Sequence, residues 1–201
     1  MPRHPKPAKT ANQKQTEHSM RIIGGKWRSR KVTFHSADGL RPTGDRIRET
    51  LFNWLSPHII GANCVDLFAG SGALGFEALS RGAKSCSFIE AANPVCRKLK
   101  EQGALLDCDN AEFINQSAFD YLQQNTDGTA IDILFIDPPF AENMHDQVLE
   151  LALANPRVTE DTLIYIESPR EWSAAMQLEP IKEKQAGGVR FSLNTPKKAT
   201  S

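Results

Sequence analysis

The fold is decided at Asp66-Leu67-Phe68-Ala69-Gly70-Ser71-Gly72-Ala73-Leu74-Gly75, where an apolar run ends in a carboxylate and a glycine-rich turn begins. Gly70, Gly72 and Gly75 have the spacing GxGxxG, between a predicted strand and a predicted helix. Glycines at this spacing permit a tight turn and let a ligand approach the backbone closely. The stretch therefore predicts a ligand-binding strand–turn–helix unit, with a tight turn that binds nothing as the simpler alternative.

From residue 61 onward, strand-like and helix-like segments alternate along the chain. The strands are predicted over 63–68, 85–90, 111–115, 131–137 and 161–167, and the helices over 72–81, 92–105, 118–124 and 144–154. This alternation predicts an α/β fold with a mostly parallel sheet and helices on both faces. The segment 178–195 has no helical period and includes Gly187-Gly188, so we expect an antiparallel hairpin at the sheet edge.

Two carboxylates near the glycine turn bear on the identity of the ligand. Glu90 ends the next predicted strand, where a carboxylate can accept hydrogen bonds from both hydroxyls of a ribose. Asp66 would oppose a pyrophosphate, but it suits the cationic amino-acid end of S-adenosylmethionine (SAM). The pair therefore favours SAM over a dinucleotide. In the following unit, Ser117 either hydrogen-bonds the adenine or caps the helix over 118–124, and the sequence leaves both roles open.

A second motif, Asp137-Pro138-Pro139-Phe140, follows the apolar run that ends at Ile136. Asp137 and Pro138 both precede a proline and are pushed to extended conformations, so the segment is stiff. The Asp137 carboxylate and the Pro138 carbonyl can then accept both N–H bonds of one exocyclic base amine, which points its lone pair at a methyl donor. Phe140 offers a stacking face for a flipped base. Taken alone, the motif also fits a Pro-Pro turn with a packed aromatic ring.

The charge of the chain is divided between its two ends. Residues 1–60 carry 12 Lys and Arg against 4 Asp and Glu, whereas residues 61–201 carry 12 against 20. A basic front end on an acidic body predicts a polyanion partner that contacts mainly the N-terminal part, although a solvated basic tail is the alternative.

The N-terminal part divides into a tail and a small extension ahead of the domain over 61–201. Residues 1–19 have little apolar content and are predicted to be a disordered tail. The extension over 20–60 is predicted to contain a hairpin over 21–34 and a helix over 45–56. The apolar stripe of this helix is expected at Ile47, Leu51, Trp54 and Leu55, and its surface is expected to carry Arg46, Arg48 and Glu49. On the second strand of this hairpin, alternation is expected to bring three cations to one face: Lys26, Arg28 and Arg30.

Several classes of protein and site are disfavoured by the sequence. The four cysteines form no CxxC pair and are predicted to be free thiols in a reducing compartment. The histidines lack the spacing of a metal site, so no metal is expected. No apolar stretch reaches the length of a membrane span, and residues 1–19 lack the apolar segment of a signal peptide. We therefore expect a cytoplasmic protein, and we separately expect it to be a monomer.

The sequence resembles the RsmD family of 16S rRNA (guanine(966)-N2)-methyltransferases over residues 21–193. The resemblance rests on four blocks: Arg21-Ile22-Ile23-Gly24-Gly25, the run from Leu40 to Leu55 that begins Leu40-Arg41-Pro42-Thr43-Gly44-Asp45-Arg46, the glycine stretch from Asp66 to Gly75, and Asp137-Pro138-Pro139-Phe140. It implies a Rossmann-like class I SAM-dependent methyltransferase fold with a seven-stranded sheet. It also implies methyl transfer from SAM to guanine N2 in 16S rRNA of the small ribosomal subunit.

Together the motifs and the resemblance predict a set of site residues. The predicted catalytic residues are Asp137, Pro138 and Phe140. The predicted cofactor-binding residues are Thr43, Asp66, Phe68, Ala69, Gly70, Gly72, Glu90, Ser117 and Ala118. The predicted RNA-binding residues are Lys26, Arg28, Arg30, Arg41, Arg46 and Pro139. Thr43 and Arg46 come from the resemblance alone, and the family often has an acidic or amide residue where Ser117 stands.

Two other functions remain as alternatives at the level of sequence. An adenine N6-methyltransferase acting on DNA or RNA can use the same tetrapeptide, although residues 20–60 leave little room for a domain that reads DNA sequence. A non-catalytic RNA-binding module could use the same basic hairpin. The intact cofactor and amine motifs argue against this second alternative.

Overall fold

The computed structural model describes residues 17–35, 44–124, 126–140, 144–174 and 177–197. Two predicted site residues, Arg41 and Thr43, lie outside these ranges, as do residues 1–16 of the predicted tail. Residues 17–19 belong to a strand, so the predicted boundary of the disordered tail at residue 19 is wrong.

The main sheet confirms the predicted α/β architecture. Its strands are β3 (Asn63–Asp66), β4 (Ser85–Ile89), β5 (Ala111–Ile114), β6 (Ile133–Ile136), β7 (Leu163–Pro169), β8 (Leu178–Ala186) and β9 (Val189–Pro196). They lie in the order β5-β4-β3-β6-β7-β9-β8, in which β5 to β7 are parallel and the last two strands form an antiparallel hairpin. The chain runs outward from β3 in one direction and from β6 in the other. The carboxyl ends of β3 and β6 therefore flank the switch point, where open α/β sheets bind ligands.

Helices cover both faces of this sheet. They are α1 (Asp45–Leu55), α2 (Ala73–Ser80), α3 (Asn93–Leu105), α4 (Ala118–Gln124) and α5 (His145–Ala154). Alternate residues of each buried strand face opposite cores. Cys64 and Phe135 face the core formed with α1, α2 and α3, whereas Val65 and Leu134 face the core formed with α4 and α5.

The N-terminal extension packs into the first of these cores. Strands β1 (Glu17–Arg21) and β2 (Lys31–His35) pair antiparallel, and their buried residues Met20, Val32 and Phe34 share this core with helix α1. Along α1, Leu51 and Leu55 are buried as the apolar stripe predicts. Burying these side chains fixes the extension against the sheet, since apolar burial is the main favourable term in packing.

The predicted second strand that carries Lys26, Arg28 and Arg30 is wrong. Lys26 lies in a short 3₁₀ turn over Gly25–Trp27, and Arg28 and Arg30 lie between that turn and β2. The chain leaves the strand conformation here because Trp27 is buried and its N–H donates to Ser80 Oγ (2.9 Å). The three cations are exposed, but they are not arranged along one strand face.

Candidate active site

The glycine turn joins the end of β3 to helix α2 and is held by backbone hydrogen bonds. The N–H of Ala69 donates to the carbonyl of Ile89 (2.9 Å), which ties the turn to the end of β4. The N–H of Gly72 donates to the carbonyl of Ala69 (2.6 Å). Gly72 has a φ of +76°, and a Cβ there would lie 2.5 Å from the Phe76 ring. A side chain at this position would therefore strain the backbone and displace the core.

Asp66 is the buried anchor of this turn. Its side chain is 2% exposed, and its Oδ2 accepts a hydrogen bond from the N–H of Gly75 (3.1 Å) in helix α2. Burial raises the pKa of this carboxyl to about 7; hydrogen bonds from Gly75 and Phe68 oppose the rise, and the charges of Asp137 and Glu90 add to it. Asp66 thus braces the glycine turn from below, in an environment that disfavours its negative charge.

Glu90 bridges the two loops that border the predicted cofactor site. Its Oε2 accepts from the N–H of Gly70 (3.0 Å), and its Oε1 accepts from the N–H of Ala92 (2.8 Å). The carboxylate follows β4 directly and is half-buried. It lies beside the glycine turn, as the spacing of the motif requires, and its contact with a ribose stays a prediction.

Ser117 caps helix α4 in this structure. Its Oγ accepts from the N–H of Asp120 (3.1 Å) and donates to the Asp120 carboxylate (2.7 Å). This arrangement satisfies a free amide at the helix start, which is the capping role that the sequence left open. The neighbouring Asn115 donates to the carbonyls of Glu90 (2.8 Å) and Ala91 (2.9 Å), so it fixes the loop that carries Glu90.

The remaining residues predicted to bind the cofactor lie around the same edge of the sheet. Ala69 is buried within the turn, and Phe68 is half-buried and packs against the second core. Ala118 is buried at the start of α4. These side chains are apolar, so any contribution they make to a ligand is by shape and by their backbone groups.

The tetrapeptide begins directly after β6, whose last residue is Ile136. Asp137 is half-buried, Pro138 is buried and Pro139 is exposed. Within the neighbouring pair of strands Asp66 lies opposite Phe135, so Asp137 stands two residues beyond the level of Asp66. The Asp137 charge adds to the rise of the Asp66 pKa, as expected for carboxylates at the ends of neighbouring strands.

Phe140 packs against side chains that the sequence did not single out. Its ring centroid lies 5.8 Å from that of His145, which in turn lies 5.0 Å from that of Trp172. His145 is buried, its Nε2 lies 3.0 Å from the carbonyl oxygen of Glu167, and burial lowers its pKa. One side of the Phe140 ring is thus supported by the protein, and stacking of a base on it stays a prediction.

Two residues of β7 also face this site and were missed by sequence reasoning. Glu167 is 4% exposed, and its Oε1 accepts a hydrogen bond from the hydroxyl of the fully buried Tyr165 (2.8 Å). Strands β6 and β7 are parallel, with Ile136 opposite Ile166. The only signal in the sequence was a glutamate at the end of the predicted strand over 161–167, which resembles an ordinary surface residue.

A buried ionic cluster attaches the N-terminal extension to helix α2. Glu77 accepts hydrogen bonds from the N–H groups of Ile23 and Gly24 (2.8 Å each) and from Arg81 Nε (2.7 Å). Arg48 lies 3.6 Å from Glu77 and donates to the carbonyl of Arg21 (3.0 Å). Arg48 is 1% exposed, so its predicted position on the surface of α1 is wrong; Glu77 provides the charge that permits its burial.

The predicted RNA-binding cations that the structure describes in the extension are exposed. Lys26 Nζ stands 4.2 Å from the centroid of the Trp27 ring, and Arg30 donates to the carbonyl of Leu105. Arg28 and, on α1, Arg46 are exposed. Their contact with RNA stays a prediction.

The residues at the switch point fit SAM. Asp66, Glu90 and Asp137 bring three carboxylates to the ends of adjacent strands, and their mutual repulsion helps to raise the pKa of Asp66. A ligand with a sulfonium and an ammonium group would offset that repulsion, whereas a pyrophosphate would increase it. Asp66 and Glu90 would hold such a ligand beside the glycine turn.

The described ranges contain neither a candidate metal site nor a candidate membrane-spanning helix. Within residues 17–35, 44–124, 126–140, 144–174 and 177–197, no group of three His, Cys, Asp or Glu side chains could hold a metal ion. None of the helices in those ranges is long and apolar enough to cross a membrane.

Comparisons with known sequences identify relatives that match nearly the whole chain. The model of a family described as Conserved hypothetical protein 95 matches residues 20–195. Ribosomal RNA small subunit methyltransferase D from Haemophilus influenzae is 44% identical over 184 residues, which cover 87% of this chain and 92% of that protein. The protein of the same name from Escherichia coli K12 is 42% identical over 193 residues, which cover 90% and 93%.

Solved structures show the same fold. The candidate methyltransferase yhhF from Escherichia coli superposes with a TM-score of 0.80 at 42% identity, and the match covers 90% of this chain and 100% of that one. A candidate SAM-dependent methyltransferase from Streptococcus mutans superposes with a TM-score of 0.69 at 15% identity, over 89% of this chain and 55% of that one. The chain therefore belongs to the RsmD family, whose model is described as Conserved hypothetical protein 95, and it has the fold of the SAM-dependent methyltransferases.

Proposed function

We propose that this protein transfers the methyl group of SAM to the exocyclic N2 amine of a guanine in 16S rRNA. The target is the guanine that corresponds to position 966 in the name of the RsmD family. The names of the relatives at 44% and 42% identity support an rRNA substrate in the small ribosomal subunit. The choice of guanine N2 rests on the resemblance to the RsmD family. The protein then acts on the small subunit or one of its assembly intermediates in the cytoplasm, and it acts as a monomer without a metal.

One observation carries the proposal: Asp66 is the last residue of β3, and Asp137 directly follows β6, the strand that pairs with β3 at the switch point of the sheet. Asp66 supports the turn predicted to hold the methyl donor, and Asp137 begins the segment predicted to hold the methyl acceptor. Strands in a sheet lie about 4.8 Å apart, so donor and acceptor bind side by side. Placing two reactants in this way is itself a large part of catalysis.

The chain's own residues orient the acceptor. When bound, SAM supplies an electrophilic methyl group on a cationic sulfur. The amine of guanine is a poor nucleophile because its lone pair is delocalised into the ring. Asp137 and the carbonyl of Pro138 accept its two N–H bonds and turn the lone pair toward the methyl carbon, and Phe140 holds the base by stacking.

The extension supplies the contact with the RNA backbone. Lys26, Arg28 and Arg30 are exposed, and the cluster around Glu77 fixes the segment that carries them to helix α2. Because α2 begins directly after the glycine turn, this attachment couples the basic surface to the cofactor site. Arg46 and the exposed Pro139 extend the contact toward the target base.

A comparison of Asp137→Ala with the wild type tests the proposed chemistry. In single-turnover reactions with SAM and unmodified small subunits, the variant is expected to lose methyl transfer while SAM affinity, measured by calorimetry, stays within a few-fold of wild type. Asp137→Asn serves as the matched control, because it keeps an acceptor at the same place without the charge. Near-normal rates in Asp137→Ala would contradict the role of Asp137.

A further inference from the structure

We propose that Glu167 is a second carboxylate of the amine site, whose negative charge favours the movement of positive charge from the methyl donor to the target amine. This inference rests on the proposed function, because it assigns a role in that reaction. Glu167 does not need to touch the base. It acts through the electric field at the Asp137 end of β6.

The placement of Glu167 follows from the register of the sheet. Ile136 of β6 lies opposite Ile166 of β7, so the next residues, Asp137 and Glu167, stand side by side. Alternation along the strands directs both side chains to the face on which Phe135 and Tyr165 lie. Burial raises the pKa of Tyr165 well above its usual range, and the charges of Glu167 and Asp137 add to the rise, which places all three groups in one electrostatic environment.

Burying the Glu167 carboxylate lowers the stability of the fold unless the carboxylate has a function or is well compensated. Glu167 is 4% exposed and Tyr165 is fully buried, so the pair is removed from water. A buried carboxylate destabilises a fold unless hydrogen bonds compensate, and an apolar residue of similar size would serve packing better. The Tyr165 hydroxyl donates to Oε1 of Glu167 (2.8 Å) and holds the carboxylate in place. A buried charge maintained beside a reactive group is typical of functional sites.

The order of the strands places the negative charge of Glu167 on the side of the site where the target amine is proposed to bind. Carboxylates stand at the ends of four adjacent strands, in the order Glu90 (β4), Asp66 (β3), Asp137 (β6) and Glu167 (β7). The first two border the predicted cofactor site, whereas Glu167 lies beyond Asp137 on the acceptor side. An anion at that end is closer to the acceptor nitrogen than to the donor sulfur.

The proposed step conserves atoms and charge. The amine nitrogen uses its lone pair to bond the methyl carbon, the electron pair of the broken carbon–sulfur bond stays on sulfur, and positive charge develops on nitrogen. The proton that nitrogen then loses passes to solvent past Asp137. Because the charge approaches Glu167 as the bond forms, an ionised Glu167 lowers the barrier without strengthening the binding of SAM.

Two nearly isosteric variants separate this role from a structural one. Glu167→Gln removes the charge but keeps an oxygen that accepts from Tyr165, whereas Tyr165→Phe removes the hydrogen bond but keeps the charge. With an effective dielectric of about 20 and an anion a few ångströms closer to nitrogen than to sulfur, Glu167→Gln should slow single-turnover methyl transfer by about three- to tenfold. Its SAM dissociation constant should stay within about twofold of wild type. Tyr165→Phe loosens the carboxylate but keeps its charge, so it should slow methyl transfer less than Glu167→Gln does.

A third variant and a second readout keep the test decisive if one replacement folds poorly. Glu167→Asp keeps the charge and should retain more of the rate than Glu167→Gln does, while thermal unfolding reports on the packing of each variant. A structural role predicts the reverse ranking, in which Tyr165→Phe or Glu167→Asp is slower and less stable than Glu167→Gln. That ranking, or an unchanged rate in Glu167→Gln, would overturn the inference. Failure of the wild-type protein to methylate any RNA would instead refute the proposed function.

Discussion

Replacing Asp66 by Asn perturbs the proposed cofactor site with little change of shape. The amide keeps an oxygen that can accept from the N–H of Gly75, but it cannot carry a negative charge. In the wild-type protein, burial raises the pKa of Asp66 to about 7. If the ionised carboxylate attracts the cationic amino-acid end of SAM, binding requires the proton to leave, and the SAM dissociation constant must rise as the pH falls below 7.

The size of this effect follows from the pKa. A carboxyl with a pKa of about 7 is half ionised at pH 7 and only about 3% ionised at pH 5.5, so the dissociation constant should rise about 15-fold across that interval. The ammonium group of SAM stays charged throughout, because α-amino groups titrate at about pH 8. In Asp66→Asn the dissociation constant should be larger at pH 7 and should vary by less than about twofold between the two pH values.

Isothermal titration calorimetry provides the assay. At pH 7, titrations in buffers with different ionisation enthalpies should show release of about half a proton for each SAM bound by the wild type, and none by Asp66→Asn. An affinity of the wild type that is constant from pH 5.5 to 7, without proton release, would refute the reasoning. Persistence of the full pH dependence in Asp66→Asn would assign it to another group.

The same pKa also predicts how the stability of the free protein depends on pH. The pKa of Asp66 is raised from 3.8 to about 7 on folding, so between these values the folded state binds more protons than the unfolded state. The free energy of unfolding should therefore fall as the pH rises through this window, by up to about 4 kcal/mol from this one group. Denaturant titrations of Asp66→Asn, in which this contribution is absent, provide the matched control.

Three further replacements test other parts of the account. Glu90→Ala should weaken SAM binding by about 1.5–3 kcal/mol in calorimetry, and unchanged affinity would contradict the ribose assignment. Replacing Lys26, Arg28 and Arg30 together should reduce the salt dependence of RNA binding by about 2–3 units of slope without changing SAM affinity, and an unaltered slope would place the RNA contact elsewhere. Glu77→Gln should lower the free energy of unfolding by about 3–5 kcal/mol, because it leaves the buried Arg48 and the half-buried Arg81 beside a neutral side chain, whereas the exposed Glu101→Gln should change it by less than about 0.5 kcal/mol. Equal stability of these two variants would show that the cluster does not secure the extension.

The sheet was predictable because its signals are local. Each central strand is a short apolar run ended by a turn or a polar residue, and a helix-like segment separates each parallel strand from the next. The antiparallel hairpin at the end of the chain follows from Gly187-Gly188 between two strand-like runs. The boundaries of the five predicted strands therefore differ from the observed ones by no more than two residues, as for β6 (Ile133–Ile136) within the predicted 131–137.

The extension was harder to predict because its conformation depends on partners distant in sequence. The alternation of side chains predicted a strand through Lys26 and Arg28. Instead Trp27 is buried against helix α2, and its backbone N–H donates a hydrogen bond to Ser80 Oγ, 53 residues away. Arg48 is likewise buried because Glu77 lies beside it. Neither partner can be inferred from local periodicity.

The residues of the candidate site also divide into those with a local sequence signal and those placed by distant partners. The motifs around Asp66 and Asp137 were visible in the sequence, since each combines a strand end with residues of restricted or permissive backbone geometry. Glu167 and Tyr165 were not, because only the pairing of β6 with β7 brings them to Asp137. A glutamate at a strand end has no signature of its own until its neighbour is known.

The identity of the methylated nucleoside tests the central claim most directly. The wild-type protein is incubated with SAM and small ribosomal subunits that lack the modification. The RNA is then digested to nucleosides, which are separated and identified by mass spectrometry. We predict N2-methylguanosine, formed by the wild type and absent with Asp137→Ala. Methyl label on adenine N6, or no transfer to small-subunit RNA by a protein that binds SAM, would contradict the account.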